Sequence, residues 1–135
     1  MSTPSMTLAD AVEGIRRQHV AALNAGDADA AAALFAADGI SLPPGQPPLE
    51  GVAAIYAWFT GLFATIDVKG FEIQPAGVQI FGDALVEHGT WKGSFKPKGA
   101  PAPLDGGGAY VTVYARLADG SVRIIRDIFH GLPGQ

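Results

Sequence analysis

Gly70-Phe-Glu-Ile-Gln-Pro-Ala-Gly-Val-Gln-Ile-Phe-Gly-Asp-Ala-Leu-Val-Glu-His88 is where the chain changes its rhythm. Before it, apolar residues recur at helical spacing. From Phe71 onward they alternate, as they do in strands whose side chains point in turn to opposite faces. Gly82-Asp83 has the composition of a two-residue hairpin turn, so the strands expected over 71–81 and 84–96 run antiparallel. Two more strands are expected over 109–117 and 122–130, joined by a second two-residue turn at Asp119-Gly120. The Pro/Gly-rich stretch 97–108 between the pairs is too long for a tight turn and reads as a mobile loop or a loose hairpin end.

Upstream, Thr7-Leu-Ala-Asp10 has capping-box spacing, with Asp in place of the preferred Glu. Leu8, Val12, Ile15, Val20 and Leu23 then form one apolar stripe, which ends at Gly26, a residue suited to a left-handed helix cap. Asp27 is placed to cap a second, Ala-rich helix over 28–37. A short strand over 40–42 must stop where Pro43-Pro-Gly-Gln-Pro-Pro48 begins, because proline cannot sit inside a ladder. Val52, Ile55, Phe59, Leu62 and Phe63 mark a third helix. Helices first and sheet second imply an α+β fold, with three N-terminal helices on one face of a bent antiparallel sheet and an apolar pocket between the layers.

The chain has 135 residues, which suits one domain; residues 1–6 are expected to be a disordered tail and 7–135 the domain. A net charge of -4 without a basic run argues against nucleic acid and anionic membranes as partners. No apolar run is long enough to span a bilayer. There are no cysteines, which excludes disulfides and thiolate chemistry and fits a reducing compartment, so a cytoplasmic location is expected. The N-terminal residues lack the basic and apolar regions of a secretion signal. Along 84–96, Leu85, Glu87, Trp91 and Phe95 alternate with Val86, His88, Thr90 and Lys92, so neither face is cleanly solvated. A homodimer through the outer sheet face is therefore expected.

Asp127 is the leading site candidate. In Arg123-Ile-Ile-Arg-Asp-Ile-Phe-His130, strict alternation puts it on the face of Ile125 and Phe129. A carboxylate there is paired, for instance with Arg116 on the neighbouring strand, or sits at a solvated edge, or is desolvated and used for proton chemistry. His19 falls on the buried stripe of the first helix, as a hydrogen-bonded packing residue or as a catalyst. His88 and Thr90 share a strand face and would reach the same pocket if that face is concave; otherwise they form an ordinary half-exposed surface. Tyr110, Thr112 and Tyr114 share a face and would offer hydroxyl donors if it points inward. Tyr56, Trp58 and Trp91 either line a ligand cavity or fill core and interface. His130 has the opposite parity and is expected outside. The three histidines have no recognised zinc spacing, so no metal and no cofactor are expected.

His19-Val-Ala-Ala-Leu-Asn-Ala-Gly-Asp27, with Ala33-Leu-Phe-Ala-Ala-Asp38, Pro43-Pro-Gly45, the Gly51 helix start and Arg126-Asp-Ile-Phe129, resembles the nuclear transport factor 2-like superfamily, in its SnoaL-like, ketosteroid isomerase-like branch. The resemblance covers nearly the whole chain. It implies a cone-shaped sheet around a pocket, usually in a dimer, on a scaffold that hosts isomerases, cyclases, epoxide hydrolases, dehydratases and non-catalytic members. Steroid isomerases carry a tyrosine donor where this chain has His19, a catalytic aspartate near Pro43, and near Thr112 the protonated aspartate that is a known example of a carboxylic acid kept neutral by burial. Without that dyad, steroid isomerisation by that mechanism is not implied. The terminal Arg-Asp-Ile-Phe also resembles limonene epoxide hydrolase, which makes Asp127 the counterpart of an acid/base aspartate. That enzyme's arginine and second aspartate match His88 and Thr90, and its water-positioning pair matches Ser41 and Pro43.

The expected function is general acid/base catalysis, of isomerase, cyclase or hydrolase type, on a small, mostly apolar carbonyl or epoxide metabolite. Asp127, His88 and His19 carry the proton, and Thr90, Tyr56, Trp91, Tyr110, Thr112, Tyr114 and Phe129 bind the substrate. The alternatives are a non-catalytic ligand-binding or association module, and a structural dimer with a self-filled pocket.

Overall fold

The computed structural model describes residues 6–131; of the tail expected over 1–6, residues 1–5 lie outside the described residues, as do the last ones, 132–135. The elements run α1 (Leu8–Ala25), α2 (Ala28–Ala32), β1 (Phe35–Leu42), β2 (Leu49–Glu50), α3 (Val52–Thr65), β3 (Ile66–Phe81), β4 (Ala84–Pro97), β5 (Leu104–Arg116) and β6 (Val122–Gly131). The strands form one open sheet in the order β2-β1-β6-β5-β4-β3. The helices pack on its inner face, burying Val12, Ile15, Ile55 and Phe59 against Val68, Leu85, Tyr114 and Ile124. This is the expected α+β architecture with one refinement: β1 runs parallel to β6, so the sheet is mixed and not wholly antiparallel. Among the described residues no helix is long and apolar enough to cross a membrane.

Local chemistry explains the helical half. The Thr7 side chain accepts from the Asp10 backbone N–H at 3.1 Å, and Gly26 closes α1 at φ 66°. In the next turn the Asp27 side chain accepts from Ala30 N–H at 3.0 Å and starts α2. Asn24 spends its amide on the sheet, donating to Phe71 O at 3.1 Å and accepting from Phe71 N–H at 2.8 Å. That clamp sits where β3 slips register between Lys69 and Glu72, so it ties α1 to a bulge.

The second helix is much shorter than its alanines suggest. Leu34, Phe35 and Ala36 are buried in succession, and Leu34 O accepts from Ile124 N–H at 2.8 Å. Alanine propensity is worth only tenths of a kcal/mol per residue over its competitors, so pairing with β6 overrides it and β1 begins at Phe35. The Pro/Gly-rich connection is shorter too, because Phe95 pairs with Leu104 and Gly93 with Gly106, leaving residues 98–103 as the loop. The Gly82-Asp83 turn is the expected one, with Phe81 paired to Ala84. The last hairpin has a five-residue loop, 117–121, where a two-residue turn was expected; Leu117 N–H donates to Ser121 O at 2.7 Å.

Two glycines let neighbouring strands approach closely. A Cβ on Gly89 would lie 2.2 Å from Gln74 O, and one on Gly108 1.7 Å from His130 O, so neighbouring backbone occupies the space of any side chain. A further bulge between Pro75 and Gly77 lies beside Gly89.

Candidate functional site

The four buried polar side chains among the described residues are Ser41, Glu87, Thr112 and Asp127. They form a single row. Ser41 of β1 is in register with Asp127 of β6, Asp127 with Thr112 of β5, and Thr112 with Glu87 of β4. Register partners point to the same face, and here that face is the inner one.

Asp127 reaches this row through a bulge. Val113 pairs with Arg126 but Tyr114 pairs with Ile124, so Ile125 is the extra residue. Strict alternation would have put Ile125 beside Asp127. The bulge instead gives Asp127 an inner face shared with Ile124 and Phe129.

Three members of the row, Ser41, Thr112 and Asp127, border a cavity of about 230 Å³. Its walls are otherwise aromatic and aliphatic, with Trp58, Phe71, Trp91, Phe95 and Phe129 prominent. Edge-to-face contacts link Phe129 to Trp58 and to Trp91, with ring centroids 6.3 and 6.1 Å apart. His19 enters from α1, its ring centroid 6.2 Å from that of Phe71.

Thr112 Oγ1 donates to Asp127 Oδ1 at 2.8 Å. Burial pushes the Asp127 carboxyl above its ordinary range, against the opposing pulls of the His19 charge and the Thr112 hydrogen bond. Burial pushes the His19 imidazole down, and the Asp127 charge opposes it in turn. The proton affinities of the two groups thus converge across the cavity. Such convergence is what passing a proton between an acid and a base requires.

Glu87 is the row's other carboxylate and is fully buried, yet it lies outside the cavity lining. Arg16 of α1 grips it with two groups, Nη2 on Oε1 and Nε on Oε2, the latter at 3.2 Å. Tyr110 donates its hydroxyl to Oε2 at 2.7 Å. The hydrogen bond to Glu87 raises the Arg16 pKa, against its own desolvation. Glu87 therefore serves as the buried end of an ion pair joining α1 to β4.

Several expected site residues are together. Asp127, His19, Trp91, Tyr110, Thr112, Tyr114 and Phe129 all border the cavity. His88 and Thr90 do not, because β4 turns Glu87, Gly89 and Trp91 inward and leaves them exposed on the outer face. Tyr56 lies on the outward side of α3 and is 41% exposed. His130 is outside, as its parity required. Arg116 is not the partner of Asp127; it donates to Gly120 O and Met6 O at 3.3 and 3.0 Å. Glu87 was missed, although the reasoning that singled out Asp127 applies to it, since it alternates with Leu85 and Trp91 on one face. Among the described residues no group of three or more His, Cys, Asp or Glu is placed to hold a metal ion.

Residues 16–126 match the family model described as the SnoaL-like domain. The chain belongs to that family. Solved structures similar to this SnoaL-like protein include a ketosteroid isomerase-like protein from Erwinia carotovora atroseptica. It is 19% identical with a TM-score of 0.81, over 90% of this chain and 94% of that one. A nuclear transport factor 2-like superfamily protein from Salmonella enterica is 15% identical over 93% of both chains, with a TM-score of 0.80. A Xanthomonas campestris protein named for the calcium/calmodulin-dependent protein kinase II association domain is 21% identical over 100% of this chain and 95% of its own, with a TM-score of 0.74. At such identities the likeness is one of fold. Among curated proteins none matches the chain significantly.

Proposed function

We propose that this SnoaL-like protein admits a small, mostly apolar carbonyl- or epoxide-bearing molecule and acts on it by general acid/base catalysis, as an isomerase, cyclase or hydrolase. The observation that carries the reading is Asp127, a desolvated carboxyl oriented by Thr112 and set opposite His19 in an apolar cavity. With Oδ1 engaged by Thr112, Oδ2 is the oxygen left for the ligand's proton. His19, held toward its neutral form, accepts or returns that proton, and Ser41 offers a hydroxyl beside the carboxyl. The aromatic walls exclude water, which strengthens every polar contact inside.

The test is a panel of cyclic enones and epoxides incubated in D2O and followed by NMR for deuterium incorporation or ring opening. Turnover by the wild-type protein, lost in Asp127→Asn, is the expected result; full activity in that variant removes the proposed role. One observation favours the binding-module alternative: among the described residues, Asp127 is the only carboxylate that borders the cavity. That reading expects saturable binding without turnover across the panel.

We also read the outer sheet face as a homodimer interface. It exposes Phe81, Val111 and Ile128, and a structural neighbour carries the name of an association domain. The absence of cysteine supports a reducing cytoplasmic setting.

A further inference from the structure

The cavity has a closed end and an open one. Asp127, Thr112 and Tyr114 are buried, whereas Trp58, Ile73, Trp91, Phe95 and Phe129 are half-buried and frame the mouth. The inner face continues past that frame to Leu104, the register partner of Phe95, which is 67% exposed. Trp91 stands four residues along β4 from Glu87, in whose row Asp127 lies, which is about 13 Å of strand at about 3.3 Å per residue. A ligand that reaches both Asp127 and Trp91 is therefore elongated.

Two features of the mouth stand apart from ordinary packing. Among the described residues, the buried side-chain N or O atom left without a hydrogen-bond partner is Trp91 Nε1. A buried donor left unmade costs the desolvation of that group, so it calls for an acceptor. The neighbours of Trp91 have no side-chain acceptor to give: Ile73 and Gly108 are its register partners, and Phe95 and Phe129 meet its ring edge-on at 6.0 and 6.1 Å. The acceptor has to be brought in through the cavity that Trp91 borders. The second feature is the seat of Phe95. A Cβ on either Gly93 or Gly106 would lie 3.1 Å from its ring, so the ring rests on two residues without side chains, with the exposed Leu104 beyond. Nothing on the β4 and β5 side interlocks with it, and a ligand that displaces it gains the space it filled.

We propose that Trp91 and Phe95 form an outer subsite at the cavity mouth, where Trp91 Nε1 donates to a second oxygen of an elongated ligand and Phe95 swings from its glycine seat to admit it. The proposal rests on the reading of the cavity as a ligand site and is independent of the acid/base step. It narrows the ligand to an apolar chain that carries one oxygen near Asp127 and another, an ether, ester or ketone acceptor, at its far end. A compact ligand with a single oxygen leaves the indole N–H unpartnered and forgoes that contribution.

The probes are 2-undecanone and the ethers in which one oxygen replaces a methylene at successive positions of its chain. Where that oxygen meets an apolar wall it loses water without gaining a partner, so most of the ethers should bind the wild-type protein more weakly than the ketone. At one position the oxygen meets Trp91 Nε1, and there affinity should exceed that of the neighbouring ethers by about two- to tenfold, the range of a net hydrogen bond. Trp91→Phe should erase the maximum while 2-undecanone still binds. The indole N–H signal of Trp91, distinguished from that of Trp58 with Trp58→Phe, should move downfield when the favoured ether binds and not when 2-undecanone does. Phe95→Ala should raise the association rate constant of ketone and ether alike, since binding no longer waits for the ring to move. A scan without a maximum, a maximum that survives Trp91→Phe, or an indole signal already downfield in the free protein overturns the subsite, and an unchanged association rate in Phe95→Ala overturns the gate. Should Trp91→Phe fail to fold, the indole signal of the wild-type protein decides alone. Binding of the ketone without an ether maximum sinks this proposal and leaves the cavity reading standing, whereas binding of none of the probes overturns both.

Discussion

Thr112 and Asp127 face each other in register on β5 and β6, and the threonine hydroxyl donates to Asp127 Oδ1 across 2.8 Å. The bond opposes the effect of burial on the carboxyl, so removing it has a defined sign. Thr112→Val keeps the shape and loses the donor. The Asp127 carboxyl, already above the unperturbed value of about 3.9, should titrate higher still in that variant. A 13C-detected NMR titration, assigned with Asp127→Asn, measures it; an unchanged or lower midpoint would contradict the geometry.

Asp127→Asn should trade activity for stability. Proton-transfer groups contribute about 10²–10⁴-fold, so turnover should fall by that order. The folded-state carboxyl pKa is raised, so the native state holds its proton more tightly than the unfolded chain. Wild-type stability therefore drops as pH climbs from the unfolded value through the raised folded value, and the penalty is full above it. Asn cannot ionise and its amide oxygen still accepts from Thr112. The variant should melt higher at pH 7, with the advantage vanishing at a pH below about 3.9. An equal advantage at both pH values would point to a cause other than ionisation.

His19 shows the opposite linkage. Its folded pKa is lowered, so the unfolded chain binds the proton more readily and stability falls as pH drops below about 6.5 toward the folded value. His19→Gln should remove that slope from urea melts collected between about pH 7 and pH 5. If the slope survives the substitution, His19 is not its source.

How much of this could be read in the chain depends on whether the deciding interaction is local. Caps are local, so Thr7, Gly26 and Asp27 announce their helices, and the Gly82-Asp83 turn announces its hairpin. Strand parity is nearly local, and it put Tyr110, Thr112 and Tyr114 on one face, which the structure turns inward. Parity fails at Ile125, where one inserted residue resets the alternation, and no residue type there signals a bulge. The fate of residues 33–37 depends on pairing with β6, far along the chain, which alanine composition does not encode. Which face of β4 is concave also needs the third dimension, and for that reason His88 and Thr90 looked as eligible as Glu87 and Trp91.

The Arg16–Glu87 pair should be costly to break from one side. Glu87 has no exposed surface and the Arg16 side chain is 18% exposed, so removing one partner strands the other's charge. Arg16→Met should destabilise by about 3–5 kcal/mol, the range for breaking a buried pair. The double variant Arg16→Met/Glu87→Leu should regain a large part of that loss, since apolar replacements of both partners are often neutral. Chemical denaturation of the two variants measures this. A double variant as unstable as the single one would mean that Tyr110, deprived of its acceptor, carries the cost.

The outer face supplies the last prediction. Val111 and Ile128 are cross-strand partners, 37% and 43% exposed, and His88 and Leu42 extend their row across β4 and β1. Apolar side chains along a sheet face are stable in water only at the expense of hydrophobic free energy, roughly 25 cal/mol for each Å² left wet. A second copy of the chain covering this row removes that cost and buries the same residues on both subunits, as a twofold interface requires. Light scattering should give a dimer mass at micromolar concentration, and Val111→Lys/Ile128→Lys should give a monomer. Because these side chains lie outside the cavity lining, affinity of the monomer for any enone or epoxide of the panel that the wild-type protein binds should stay within about twofold. A monomeric wild-type protein would refute the interface, and a large loss of ligand affinity in the double-lysine variant would show that the two faces are coupled through the sheet.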